Sequence, residues 1–191
     1  MERNMRQLRA VATQFETRET GEAPHISGYF AVFDSVYEIG PGMSESIAPG
    51  AFSHTLGDDI RALTNHDTTL VLGRTAAGTL TIREDEKGLW ADIAINPNDS
   101  DAMNTWHRVQ RGDVSQCSIG FDILREDTEF RPDGATHWTI REVKLYEITV
   151  CTFPAYEETS IQARSAQREE LRARALAAWK EQQKQKLKGA E

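Results

Sequence analysis

Short apolar runs, often alternating and separated by turn residues, dominate the chain as far as Pro154. Residues 26–33 (ISGYFAVF), bounded by Pro24 and Asp34, predict a strand, and residues 60–65 (IRALTN) predict another that ends at His66. GTLTIR (78–83) alternates; a turn at 85–88 then leads into LWADIAI (89–95), which predicts two more strands. VSQCSIGFDIL (114–124), HWTIREV (137–143) and KLYEITVCTF (144–153) predict three further strands. Pro132-Asp133-Gly134 makes the turn before the second, and Pro154 ends the third. Helical spacing is rarer. In DAMNTWHRVQRG (101–112), Ala102, Met103, Trp106 and Val109 share a helix face; the end of NPNDS caps its start, and Gly112 sits where a C-cap belongs. AFSHTL (51–56), after Pro49-Gly50, predicts a short helix, and EIGPGMSE (38–45) predicts a loop. Many short strands with few helices predict an α+β, mainly β fold: a strongly curved sheet or β-barrel core decorated by helices.

The tail differs in kind. From about Ser160 onward there is no proline, and no glycine before Gly189; Ala, Arg, Glu, Lys and Gln predominate. These residues favour a helix, on which Leu171, Ala175 and Trp179 form a narrow apolar stripe. Residues 164–191 hold eight Lys/Arg against four Glu, so this tail carries +4 and residues 1–163 carry −12 of the net −8. An acidic body argues against nucleic acid as a partner, because phosphate contacts need clustered Lys/Arg. No run of about 18 apolar residues predicts a membrane span, and the N-terminal residues lack the apolar core of a secretory signal. Two cysteines, Cys117 and Cys151, are too few for a disulfide framework and fit a reducing cytoplasm.

Among the five histidines no pair stands at a metal-ligand spacing, and no phosphate-binding glycine loop occurs, so neither a metal nor a cofactor is expected. His66 closes an apolar strand, where rigid backbone can hold a base facing a cleft; a partly buried, hydrogen-bonded structural histidine is the commoner reading of these residues alone. Ser118, in S-Q-C-S-I-G-F, shares a strand face with Gln116 and Gly120, and a glycine there would let a substrate backbone approach. Ser115 reads as a turn residue. Cys117 shares the other face with Ile119 and Phe121, which predicts a buried thiol. Glu147 lies among apolar residues in a strand and needs a partner, either a basic side chain or the imidazole of His66. Serine, histidine and acid on three strands permit a triad without specifying one.

Taken together and in order, GYFAVFDSVYE, IAPGAFSHTL, LTNHDTTLVLGRTAAGTLTIREDEKGLWADIAI, VQRGDVSQCSIGF and LYEITVCTFPAYEET resemble the caudoviral prohead maturation proteases, serine peptidases related in fold to the herpesvirus assemblins. The resemblance covers about residues 26–163. Its most specific part is N-H-D followed by L-G-R, then R-G-x-x-S-x-x-S-x-G-F, then E-I-x-x-x-x-x-P-A. It implies His66 as the catalytic histidine, Ser118 as the nucleophile and Glu147 as the third member, where the herpesvirus relatives use a second histidine. Ser115 matches the nucleophile position less well. The implied fold is a β-barrel core surrounded by helices. The implied activity is cleavage of scaffolding segments from the major capsid protein, and of the protease itself, inside assembling procapsids in the host cytoplasm. Backbone amides near residues 112–121 are candidates for the oxyanion hole. A protease domain at 1–163 and a basic helical tail at 164–191, removed by self-cleavage near QARSAQRE, complete the expectation, and an oligomer is compatible with it. The alternative is a non-catalytic capsid assembly or scaffolding protein that retains the fold.

Overall fold

The computed structural model describes residues 7–20 and 23–153, together with positions 173, 176, 177 and 180. The chain divides into two units, Glu2–Ala155 and Tyr156–Glu191 with Met1. In the second, the four described positions are helical. Leu171, Ala175, Trp179 and the QARSAQRE junction lie outside the described residues.

The first unit runs β1 (Gln7–Ala12), β2 (Glu16–Thr20), β3 (Ala23–Val32), β4 (Tyr37–Gly40), β5 (Met43–Ile47), β6 (Arg61–Thr64), β7 (Asp67–Arg74), β8 (Leu80–Glu84), β9 (Gly88–Ala94), α1 (Ser100–Arg111), β10 (Gln116–Phe130) and β11 (Thr136–Cys151). Seven strands form one sheet in the order β1-β10-β11-β5-β4, with β6 pairing β11 in parallel beyond the end of β5 and β7 antiparallel to β6. A second sheet orders β2-β3-β9-β8. The core lies between them: Ile26, Phe30, Leu89 and Ile93 from the smaller sheet meet Cys117, Ile119, Phe121, Ile148 and Val150 from the larger.

The large sheet curls. Arg9 on β1 donates to the Glu45 carboxylate on β5, three strand positions away, and both residues are buried. In a flat sheet those strands would lie about 14 Å apart, at roughly 4.8 Å per strand, and the ladders set Arg9 opposite Ile119 but Glu45, through Trp138, in line with Thr128, far along β10, so the pair requires curvature. The mainly β expectation therefore holds. The surrounding helices do not: within residues 7–153 α1 is the single α-helix, and the second sheet supplies most of the apolar cover that helices were expected to give. No helix among the described residues is long and apolar enough to cross a membrane.

α1 follows its sequence signals. Asp99 Oδ1 accepts from the amides of Asp101 and Ala102, Gly112 closes the helix at φ 86°, and Ala102, Trp106 and Val109 are buried. AFSHTL, in contrast, forms successive turns, with Ser53 N bonded to Gly50 O and Thr55 N to Phe52 O. Glu84 fixes them from outside by accepting from Gly50 N and Ser53 Oγ. EIGPGMSE is a β4–β5 hairpin turning at Pro41-Gly42, with Gly42 at φ 65°. The two strands expected at 137–153 are one, β11, whose bulges absorb the changes of face.

Candidate active site

Three neighbouring strands of the large sheet carry the site. In the register of β10 with β11, Ser118 faces Thr149 and Gly120 faces Glu147; in that of β11 with β6, Thr149 stands beside Leu63. Ser118, Gly120, Glu147 and Thr149 thus share one face, while Cys117, Ile119, Ile148 and Val150 point into the core on the other. A bulge makes this arrangement compatible with packing. Gly120 pairs with Glu147 but Phe121 pairs with Leu145, so Tyr146 is an extra residue on β11. Leu145 and Ile148 consequently both reach the core although an odd number of residues separates them, and Glu147 between them is turned to the opposite face.

His66 arrives from the turn joining β6 to β7. Thr64 pairs with Asp67, and the two residues between, Asn65 and His66, have φ values of 51° and 59°. Two consecutive positive φ values mark the tight hairpin turn whose twist matches its strands. The imidazole Nδ1 lies 2.8 Å from Glu147 Oε1, and Thr149 Oγ1 donates to Oε2 of the same carboxylate at 3.3 Å. Glu147 is buried, so its charge has the partners that burial demands. With Nδ1–H donating to the carboxylate, Nε2 is left with its lone pair free to accept a proton.

Nε2 of His66 is buried and makes no hydrogen bond. Oγ of Ser118 and Oε1 of Gln116, on the same face of β10, are likewise buried without a partner. An unsatisfied buried polar atom costs about 1–3 kcal/mol, so three on the face that carries Glu147 make it a candidate place for reaction or binding. A hydroxyl that can donate and a ring nitrogen that can accept are the complementary halves of a nucleophile–base pair. Ser118 is wholly covered.

The structure also separates the rivals. Ser115 is exposed and precedes β10; its carbonyl accepts from Thr13 N, and it lines a groove of about 460 Å³ with Phe15, Tyr29 and Trp90. Cys117 is buried in the core, its thiol directed at the Tyr29 carbonyl at 3.3 Å. Burial pushes the Cys151 thiol up to about 11, leaving it unreactive near neutral pH. No group of three or more His, Cys, Asp or Glu among the described residues is placed to hold a metal.

Two readings of the sequence need correction. Gly120 does not leave room for a substrate backbone: a Cβ there would lie 2.6 Å from Glu147 Oε1, so the vacant space already holds the carboxylate. Nor do the amides of 116–121 face a substrate. β10 is paired to β1 on one side and β11 on the other over this stretch, so its N–H groups belong to two ladders. The amides of Gly112, Asp113 and Val114 are bonded to carbonyls at the end of α1. Sequence reasoning missed Asn65 and Thr149. The tolerance of asparagine for positive φ, directly before a histidine at a strand end, was the available signal for the first. The i, i+2 spacing from Glu147 was the signal for the second.

Comparison with known proteins agrees in one direction. The family model described as caudovirus prohead serine protease matches residues 12–174. The prohead protease of Enterobacteria phage HK97 is 32% identical over 155 residues, covering 79% of this chain; the chain spans 64% of that relative's length. A solved structure of the bacteriophage T4 capsid assembly protease aligns with a TM-score of 0.49 at 9% identity, over 78% of this chain and 99% of that one, a likeness too slight to carry an argument.

Proposed function

Because the chain belongs to the caudovirus prohead serine protease family, we propose that it is a serine endopeptidase in which Ser118 is the nucleophile, His66 the general base and Glu147 the group that orients the base. The observation that carries this reading is the 2.8 Å contact from Glu147 to His66 Nδ1, with His66 Nε2 and Ser118 Oγ both left unpartnered on the sheet face that carries Glu147. Nε2 takes the hydroxyl proton as Oγ attacks the scissile carbonyl, and the buried carboxylate stabilises the imidazolium that results. Collapse of the tetrahedral intermediate breaks the C–N bond, and Nε2–H passes its proton to the leaving amine. Water then attacks the acyl ester; Nε2 accepts the water proton and returns one to Oγ as the acid product leaves.

The substrate we propose is the scaffolding segment of a capsid protein, cleaved inside an assembling procapsid in the host cell, with self-cleavage near QARSAQRE separating the basic tail from the body. Family membership and the name of the HK97 relative support the first part. The opposite charges of tail and body, +4 and −12, support a tail with a separate, partner-directed role. A herpesvirus assemblin-like fold belongs to the same reading, supported by the curl that brings Arg9 to Glu45.

Mass spectrometry of co-expressed capsid protein tests the assignment. Ser118→Ala should lower processing by about 10⁴-fold or more, as loss of a triad member typically does, with thermal stability retained. Ser115→Ala should process normally. Undiminished processing by Ser118→Ala would reject Ser118 as the nucleophile.

A further inference from the structure

Asn65 has no place in the proposed triad, yet its backbone N–H and its side-chain Oδ1 are committed to the strand that carries Glu147 and to the residue that follows it. Its backbone N–H donates to Val150 O at 3.0 Å, and its side-chain Oδ1 accepts from Thr152 N at 2.9 Å. Val150 and Thr152 follow Glu147 by three and five residues, so these bonds tie the turn bearing the base to the strand bearing its acid partner. Regular pairing ends at that turn: the bond from Asn65 N–H to Val150 O is the last of the β6–β11 ladder, and only the side-chain bond to Thr152 N extends beyond it. The β6–β7 ladder shifts register between Ala62 and Leu63 and again between Leu63 and Thr64, immediately before it. The β6–β11 ladder ends at the Thr64–Val150 pair. His66 must also keep φ at 59°, a conformation that persists in a non-glycine residue only when its surroundings enforce it.

We propose that Asn65 is a positioning residue of the proteolytic site: by clamping the Asn65-His66 turn to β11 at two points, it holds the imidazole at Glu147 with Nε2 directed to the nucleophile. The inference rests on the reading of His66 as general base. Asparagine suits the position twice, since it tolerates positive φ and its side chain ends in an acceptor that reaches the Thr152 amide. Released from the clamp, the turn keeps its hairpin bond pattern but the ring can drift, and a displacement near 1 Å at a reacting group typically costs about 10²-fold in rate.

The test uses the full-length chain and a small alkyl fluorophosphonate, which phosphonylates an activated serine, forming an O–P bond with loss of fluoride, without depending on peptide recognition. Intact-mass measurement gives the maximal inactivation rate kinact and the half-saturating concentration KI for the wild type, His66→Ala, Asn65→Gly, Asn65→Asp and Thr152→Pro. Asn65→Gly keeps the turn, because glycine adopts positive φ freely, but lacks the acceptor. Its kinact should fall by roughly 10- to 100-fold with KI unchanged and near-ultraviolet circular dichroism native. Asn65→Asp retains the acceptor and should stay within about threefold of the wild type by the same positional argument. Thr152→Pro, which removes the donor from the other side, should resemble Asn65→Gly and serves in its place if the glycine variant does not fold. Wild-type kinact in a folded Asn65→Gly or Thr152→Pro, with His66→Ala inactive, overturns the clamp and leaves the triad standing. An equal loss in Asn65→Asp also overturns it. Equal labelling of wild type and His66→Ala, including none in either, removes the triad reading and this inference together.

Discussion

Gly120→Ala isolates the packing of the carboxylate against the nucleophile's strand. A methyl group at Gly120 would lie 2.6 Å from Glu147 Oε1, 2.7 Å from its Cγ and 3.1 Å from its Cδ. Ordinary contact needs about 3.5 Å, so the carboxylate must move by roughly 0.8–0.9 Å. It has no slack toward the ring, since Oε1 already stands 2.8 Å from His66 Nδ1. It must therefore swing along the strand, lengthening that bond to about 3.6 Å, where it no longer counts as a hydrogen bond, or push the ring ahead of it. In either case Nε2 loses its aim. Misorientation of a catalytic imidazole typically costs about 10²- to 10⁴-fold in kcat, and that is the range expected.

The fold should survive the same change. Gly120 does not have a positive φ, so alanine is acceptable to the backbone. Overpacking costs about 1–3 kcal/mol, and the reduced freedom of the unfolded chain offsets about 0.4–1 kcal/mol of it. A net loss near 1–2 kcal/mol lowers Tm by about 2–8 °C in a chain of this size. Kinetics of peptide or capsid-segment cleavage, with calorimetry alongside, measures both effects. In a Glu147→Ala background the alanine at 120 should cost less than about threefold more, because neighbours acting through one contact are not additive. A folded Gly120→Ala variant with wild-type kcat would refute the reasoning.

Two further outcomes are open to measurement. His137 is buried between Ser44 Oγ at 2.8 Å and Ser46 Oγ at 3.0 Å; burial, aided by the Arg131 charge, holds its imidazole below the usual range. The unfolded chain therefore takes up this proton at a higher pH than the folded one, so stability is full above about 6.5 and is lost as pH falls from there through the folded value. Tm should accordingly drop less between pH 7.5 and 5.5 in His137→Asn than in the wild type, and an unchanged pH slope would exclude His137 as the source. Deletion of residues 165–191 should leave cleavage of an added substrate intact but reduce co-assembly with the capsid protein, and entry into procapsids at the full-length level would rule out a targeting role for the tail.

Much of the fold could be read from periodicity because most elements bury one face. Trp106 and Val109 follow helical spacing, and the residues of β8 and β9 follow strand spacing, so amphipathicity located them. The reading failed where another constraint outweighed apolar pattern. Pro41-Gly42 reads as loop, yet two residues suffice to turn a hairpin, and the strands beside it bury Met43, Ser44, Glu45, Ser46 and Ile47 consecutively, with no alternation to detect. Arg9 and Glu45 are charged and buried, the reverse of what composition suggests, because curvature of the sheet brings them together. β11 reads as two strands because bulges reset its phase, and phase is what a period-two pattern measures.

The same bulge explains why the acid was legible and its surroundings were not. A lone carboxylate among Leu145, Ile148 and Val150 announces that it has a partner, since an unpaired charge in that company would be too costly to keep. What the one-dimensional pattern cannot show is which face that partner occupies. With strict alternation Glu147 and Leu145 would share a face, and the carboxylate would enter the core beside Phe121. The extra residue at Tyr146 places Leu145 in the core and Glu147 opposite Gly120, where the missing side chain makes room for the carboxylate directly over β10. Gly120 thus does its work on the acid rather than on the substrate. The serine two residues earlier shares its face because the β10–β11 register is unbroken from Gln116 to Gly120. Bulge, glycine and serine are therefore one device: without the extra residue at Tyr146, Glu147 could not face Gly120 while Leu145 stays in the core, even with Ser118, His66 and Glu147 all unchanged in sequence.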